Sequence, residues 1–389
     1  MRIVELTAFH VRVPLKRVIR HASHERHSSD NIIVRCLLSD RSVGYGEGVP
    51  REYVTGETVE QSLQLLKRSR LDEQVSSCRD FVAAVAMAER LRLAPVPGDD
   101  RECQGHAARC AVELAILDAY GRCFGEPLSH VTKLIAPDLY QPRERIRYSG
   151  IIATSRGVKV RLVALLMRVY GFRDIKVKVG IPRYNDRARL AAIRRIVGSR
   201  IDIRVDANEA WKPDEAGPRI RELQRYGISS VEQPLAHEDF DALTDLRRRI
   251  DTPIMLDESV CSLKDAERAV QAKACDLFNL RLSKCGGFIP TLRLAQFARQ
   301  HGIGYQLGCQ VGETAILSAA GRHFAGSVSD LKHVEGSYDR HLVVESLGDE
   351  DLTFGRGGLA PLLVGSGLSI SIDNDALERL VVRKEPLIG

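Results

Sequence analysis

Aromatic residues are scarce in this chain, at 5% with a single tryptophan. None is interleaved with basic residues, so a base-stacking surface for nucleic acid is not expected. Long apolar runs are missing too. None approaches the roughly 18 residues of a membrane-spanning helix, and no membrane partner is expected. The start, MRIVELTAFHVRVPLKR, alternates apolar and polar positions with no cleavage site after it, which excludes a signal peptide. The nine cysteines are odd in number and scattered, with no CxxC pair. That argues against a zinc site or a disulfide framework and for a reducing, cytoplasmic compartment. A net charge of +6 is modest for 389 residues. Basic clusters such as LKRSR (66–70) and DLRRRI (245–250) read as solvated helix faces.

What remains is an ordinary apolar fraction, 44%, enough for a sizeable core. Five charged residues stand out by their spacing. Lys178, Asp206, Glu232, Asp257 and Lys284 are 28, 26, 25 and 27 residues apart, and each closes or closely follows a strand-like run: DIKVK, IDIRVD, SSVE, PIMLD and LFNLRLSK. One strand plus one helix takes about that length, and in a parallel α/β barrel catalytic groups sit at strand ends on one face. Strands are expected near 146–151, 174–179, 201–206, 229–232, 253–257, 276–281, 303–308 and 331–335, with amphipathic segments such as 185–197 and 291–301 between them. The first fifty residues read as an antiparallel sheet: Met1 to Leu15, Asn31 to Leu38, a turn at 39–42, and Val43 to Glu47. A helix over 102–121 follows, with Gly121 and then Gly125 as stops. The expected fold class is α/β, a modified (β/α)8 TIM barrel with an α+β capping domain. The expected divisions are 1–130 for the cap, 131–345 for the barrel, and 346–389 for a tail that packs back on the cap, with SGLSISID as its strand.

The chemistry follows from the residue types. An unpaired buried carboxylate is expensive, so three converging ones call for a cation. Asp206, Glu232 and Asp257 suit an oxygen-ligated ion such as Mg²⁺, with Mn²⁺ as the substitute. The competing account is that each acid caps the following helix. Asn208, Glu258 and Ser259 follow these residues and either orient them or are plain loop polar groups. Lys176 and Lys178 share one side of their strand. Lys178 is nearer the strand end and is the better base, and Lys176 would lower its neighbour's pKa by repulsion. Otherwise both reach to solvent. Lys284, one unit after Asp257, is the candidate for the opposite face of a substrate. The set points to proton removal next to a carboxylate.

The ordered motifs KVK (176–178), VDANEAW (205–211), VEQP (231–234), MLDES (255–259) and LSKCGG (282–287) resemble the enolase superfamily, in its muconate-lactonizing-enzyme subgroup. GYGEGVP (44–50) and ARCAVELAILDAYGR (108–122) extend the resemblance over nearly the whole chain. It implies Mg²⁺ on Asp206, Glu232 and Asp257, an acid/base pair of Lys178 and Lys284, and an enediolate intermediate. It also makes the stretch 17–31 a loop over the site, in which Arg20 and Arg26 would meet an anionic substrate end. Dipeptide epimerases of the subgroup place an Asp-x-Asp pair at the eighth strand. This chain has Glu335-Gly336-Ser337 there, which argues against a dipeptide. Glu313 and Glu335 are the remaining candidates for substrate contact, with helix capping as the other reading of Glu313. The leading expectation is a muconate-cycloisomerase-like isomerase. The alternatives are a racemase or epimerase of amino-acid derivatives or dipeptides, a dehydratase or succinylbenzoate-synthase-like lyase, and a non-catalytic barrel that binds an acidic metabolite. The expected partners are a small carboxylate substrate and further copies of the chain in a homo-oligomer.

Overall fold

The computed structural model describes residues 1–20, 25–153, 155 and 157–389, and the side chains at 19, 20 and 25 also lie outside that description. The strands of the first fifty residues are β1 (Ile3–Arg20), β2 (Glu25–Leu38) and β3 (Val43–Gly48). Next come β4 (Arg145–Arg147), β5 (Gly150–Ile152), β6 (Asp174–Lys178), β7 (Asp202–Asp206), β8 (Ile228–Glu232) and β9 (Ile254–Leu256). The remainder are β10 (Leu277–Leu280), β11 (Gly304–Leu307), β12 (Leu331–Val334), β13 (Leu359–Pro361) and β14 (Val381–Ile388).

Strands β5 to β12 form one parallel sheet in sequence order. The sheet curls until its ends meet, where Ser149 N donates to Val334 O at 2.8 Å. Among the described residues seven helices separate the eight strands, from Val158–Tyr170 to Ala315–Ser327. Several start on side-chain caps visible in the sequence: Asn185, Asp239, Ser262 and Thr314. The eighth unit has only one helical turn, Asp339–Leu342. The chain then leaves the barrel, where Val344 N donates to Pro14 O of β1 at 2.8 Å.

The expected barrel strands appear with small shifts. The expected strand at 146–151 splits, because Tyr148 N turns to Gly358 O at 2.7 Å. Its first part, β4, pairs antiparallel with β13 outside the barrel. The stretch expected as a loop over 17–31 is mostly ribbon: β1 runs to Arg20 and β2 begins at Glu25, with a register shift between Pro14 and Ile19. SGLSISID is not a strand either. Gly367 and Ser369 have positive φ there, as does Gly365 just before it, which breaks an extended run. The tail strand is β14, which pairs antiparallel with β1 and completes the sheet order β14-β1-β2-β3.

The cap's central helix is His106–Phe124, slightly later than expected, and Gly125 at φ 73° ends it. Gly121 lies inside that helix rather than stopping it: its φ is not in the left-handed region, and it is glycine for close packing, since a Cβ there would meet Gly367 Cα at 2.8 Å. The helix rests directly on β3. Alternate residues Gly44, Gly46 and Gly48 face Ala119 and Ala115, Ala111, and Ala107, whose spacing of four puts them on one helix face. A Cβ on Gly46 would stand 2.0 Å from Ala111 O, which is backbone and cannot swing away. Gly46→Ala is therefore expected to lower unfolding free energy by about 1–3 kcal/mol through overpacking. Urea denaturation would detect it, and an unchanged midpoint would contradict this packing.

Candidate active site

The ends of three adjacent strands are in register. Lys178 pairs with Asp206 across β6 and β7, and Asp206 with Glu232 across β7 and β8. Glu232 is level with Met255 of β9, so Asp257 follows just beyond that strand's end. All three acids are buried. The register thus brings together the residues singled out by spacing.

Lys176 Nζ stands between the acids, 3.4 Å from Asp206 Oδ2, 3.4 Å from Glu232 Oε1 and 2.7 Å from Glu335 Oε2. Burial would lower its pKa, but Glu232, Glu335 and Asp206 outweigh that and raise it above the ordinary lysine value, so it stays cationic. Burial also pushes Asp206 upward, yet Lys176 and Lys178 hold it below the usual carboxylate value. Glu232 is raised by burial and by Asp206. Lys178 Nζ donates to Asn208 Oδ1 at 2.6 Å and lies 3.8 Å from Asp206 Oδ2. Asn208 Nδ2 donates in turn to Glu258 Oε1 at 3.3 Å. The other oxygen of Glu258 has no hydrogen-bond partner, and burial with Asp206, Glu209 and Glu232 nearby raises its carboxyl to about 8. Asn208 and Glu258 therefore touch the cluster, while Ser259 Oγ faces Gln233.

Lys284 comes from the far side, since β7, β8 and β9 separate β6 from β10. It is fully buried, and its Nζ donates to Asp257 O at 2.6 Å, Asp257 Oδ1 at 3.0 Å and Asn279 O at 2.8 Å. Burial lowers its pKa from the ordinary lysine value.

Sequence reasoning missed three participants. Arg281 forms an ion pair with Asp257 Oδ2. Asn279 Nδ2 donates to Glu232 Oε1 at 2.8 Å. Gln233 accepts from Asp257 N at 3.0 Å and Ser259 N at 3.2 Å, which fixes the segment carrying Asp257. Asn279 and Arg281 lie in the run LFNLRLSK, where a polar residue at alternate positions of an apolar strand was the available signal.

The outer candidates fare differently. Glu335 is enclosed: Arg204 Nη2 donates to Oε1 at 2.6 Å and Lys176 holds Oε2, so its carboxylate is engaged by cations. Its neighbour Ser337 accepts from Arg322 Nη2 at 3.0 Å and bonds Tyr148 Oη at 3.0 Å. Glu313 is half-buried beside a small cavity with Cys309, Tyr148 and Ser337. It accepts from Gln310 N at 2.7 Å, and the helix after it is capped by Thr314 instead. Burial raises the Glu313 carboxyl to about 8. The guanidinium of Arg26 lies 5.2 Å from the ring centre of Tyr53. Arg20 ends β1, and its side chain is outside the described residues.

Among the described residues no three acidic, histidine or cysteine groups close around one point. Lys176 and Arg281 lie against the acids instead. The donor chemistry nonetheless suits a hard divalent cation: three buried carboxylates on consecutive strand ends, each balanced by a positive charge.

Residues 160–376 match the family model described as enolase C-terminal domain-like. The chain belongs to the enolase superfamily. It is 29% identical to the N-succinyl-L-Arg/Lys racemase of Bacillus cereus over 98% of both chains. The crystal structure of the N-succinyl Arg/Lys racemase from that species superposes with a TM-score of 0.85 at 26% identity, covering 99% of this chain and all of that one. A dipeptide epimerase from Cytophaga hutchinsonii, solved with Mg and D-Ala-L-Val, gives 0.83 at 25% identity with full coverage of both chains. A 2-chloromuconate cycloisomerase from Rhodococcus opacus also gives 0.83, at 24% identity over 98% of this chain and all of that one, and shows the shared fold alone. The chain is an isomerase-class enzyme of this superfamily.

The enclosure of Glu335 makes a prediction. Glu335→Gln leaves Arg204 and Lys176 short of a buried counter-charge, which is expected to cost about 3–5 kcal/mol. Burial would raise the Glu335 pKa, but Lys176 and Arg204 bring it from 4.5 down to about 2. Its contribution is therefore complete above the unfolded value of 4.5 and is lost as pH falls toward about 2. Denaturant titrations across that window should show a shallower acid loss in the variant. An identical slope would mean that Glu335 is not held ionised.

Proposed function

We propose that this enzyme is a Mg²⁺-dependent racemase or epimerase acting at the carbon next to the carboxylate of an N-acylated amino acid. The observation that carries the proposal is the pair Lys178 and Lys284 on opposite sides of the buried acids. Inversion at one carbon needs a base on one face and an acid on the other. Lys284, with its lowered pKa, more readily reaches the neutral amine that accepts the α-proton. The ammonium of Lys178 then delivers a proton to the other face of the enediolate, and the roles exchange for the other enantiomer. Lys176 remains a fixed cation beside the acids. A divalent cation on Asp206, Glu232 and Asp257 would supply positive charge for the substrate carboxylate as it becomes an enediolate. Asn208 and Gln233 orient Lys178 and the Asp257 segment.

The N-acyl part rests on the eighth strand. A dipeptide carries a free ammonium that wants a carboxylate, and here Glu335 is bound by Arg204 and Lys176 while Ser337 is neutral. An acylated nitrogen has no such need. The B. cereus racemase, which aligns over 98% of the chain, is named for an N-succinyl substrate. A dipeptide epimerase is the second reading, supported by the half-buried Glu313 carboxyl beside the cavity, raised to about 8 by burial, which an ammonium placed against it would draw into its ionised form. The cycloisomerase expectation gives way to these, because the curated relatives carry racemase and epimerase names.

Incubation in D₂O with both enantiomers of N-succinyl-lysine and N-succinyl-arginine, a dipeptide panel and muconate tests the reading. Exchange of the α-proton with racemisation of N-succinyl substrates is expected. Conversion of muconate alone would overturn the proposal. Lys178→Ala and Lys284→Ala should each abolish exchange with one enantiomer, and not the same one. Full activity in both variants would remove the two-lysine mechanism. Asp257→Asn should weaken Mg²⁺ binding by calorimetry while the circular dichroism spectrum is kept. Unchanged affinity would take Asp257 out of the ligand set.

A further inference from the structure

The turn just after Asp206 is strained, and one side-chain pair clamps it. Asn208 and Glu209 both lie in the left-handed region, at φ 43° and 65°. Asparagine tolerates that conformation, but glutamate adopts it rarely, and such a residue persists only where its surroundings over-determine it. Backbone bonds from Ala207 N to Glu232 O at 3.0 Å and from Glu209 N to Gln233 O at 2.8 Å set the path of the chain. Those two bonds would form with any side chain at 209. The glutamate is used through its carboxylate. Its Oε1 accepts from His237 Nδ1 at 2.6 Å and from His237 N at 2.7 Å. The hydrogen bond to Glu209 raises the pKa of His237, which favours the ring with a proton on Nδ1. A residue poorly suited to this backbone is thus held in it by two donors from the loop after β8.

What the turn carries is Asn208. Among the described residues its Oδ1 is the hydrogen-bond partner of Lys178 Nζ, at 2.6 Å, while Asp206 Oδ2 stands farther off at 3.8 Å. Lys178 is partly open to the mouth, so its aim depends on that one bond. Lys284 is held differently, by Asp257 O, Asp257 Oδ1 and Asn279 O, none of which belongs to the turn.

Taking the two-lysine reading as the basis, we propose that Glu209 and His237 are positioning residues that aim Asn208 at Lys178 and so serve one face of the substrate only. With the clamp gone, the turn slackens, Asn208 leaves Lys178, and proton transfer on that face slows. Transfer through Lys284 is untouched.

Glu209→Gly separates this role from a structural one, because glycine takes the left-handed conformation without strain. Its urea midpoint should be no lower than that of the wild type, and Mg²⁺ affinity by calorimetry should be kept. In D₂O, with both enantiomers of N-succinyl-lysine, kcat should fall about 10–100-fold for the enantiomer that Lys178→Ala fails to exchange, the scale of an ångström of misplacement. KM should hold, and exchange of the other enantiomer should keep its wild-type rate. Glu209→Gln retains an acceptor for both His237 donors and should recover most of the lost rate. His237→Ala keeps only the backbone donor and should show a smaller loss with the same selectivity, and it carries the test should Glu209→Gly fail to fold. Equal loss with both enantiomers, or no loss with either, overturns the proposal. A second arm needs no substrate. Should no N-succinyl substrate exchange, the proposed reaction fails on that result, and crystal structures of the wild type and Glu209→Gly decide the positioning separately. Withdrawal of Asn208 Oδ1 from Lys178 Nζ supports it, and a contact kept as in the wild type overturns it.

Discussion

Charge compensation inside the barrel is the constraint on which the site depends. Lys176 and Arg204 are buried cations among Asp174, Asp206, Glu232 and Glu335. Each would be costly alone, and a network of this kind holds only when every member has a partner. The arrangement has two layers. Toward the floor, Arg204 joins Asp174 at 2.8 Å and Glu335 at 2.6 Å. Toward the strand ends, Asp206, Glu232 and Asp257 share Lys176, Lys178, Lys284 and Arg281. The lower layer pins Lys176, and through Lys176 it positions the acids above.

The cap is tied to this barrel by a second buried carboxylate. Glu47 of β3 accepts from Thr314 N, Thr314 Oγ1 and Leu317 N at the start of the helix Ala315–Ser327, and from Asn31 Nδ2. An anion at a helix N-terminus is favoured by the free N–H groups and the dipole. The same short strand carries the glycines that let the helix His106–Phe124 approach. GYGEG therefore does two jobs at alternate positions. Its glycines face the cap helix, and Glu47 faces the barrel.

The two catalytic candidates occupy unlike surroundings, although the proposed reaction asks for related work from each. Lys284 is enclosed by carbonyls and Asp257, whereas Lys178 is more open and leans on Asn208. Near the eighth strand's end, Glu335 is enclosed by Arg204 and Lys176, and Ser337 is bound to Arg322 and Tyr148.

The parallel barrel was legible in the sequence because its signal is local and repeated. A strand of apolar residues ending in a charge, five times at nearly one spacing, leaves few architectures. The register of Lys178, Asp206 and Glu232 follows from the same count. The cap hairpin was legible for a similar reason, through alternation and a turn. The rest depended on contacts between distant segments. SGLSISID had strand composition, but positive φ at Gly367 and Ser369 spoils it, and VVRKEPLI pairs with β1 although its own pattern is weak. Arg281 looked like any polar residue in a strand until its fold neighbour proved to be Asp257. Glu335 read as a substrate contact because sequence shows that an acid stands at a strand end, not which cations reach it from 131 and 159 residues away. The sequence by itself determined the order of the barrel and which residue types line its mouth, since periodicity and spacing are properties of neighbouring residues. Only the tertiary structure decided which charges neutralise one another and which stay available, because a buried ion's state is set by the groups folded around it.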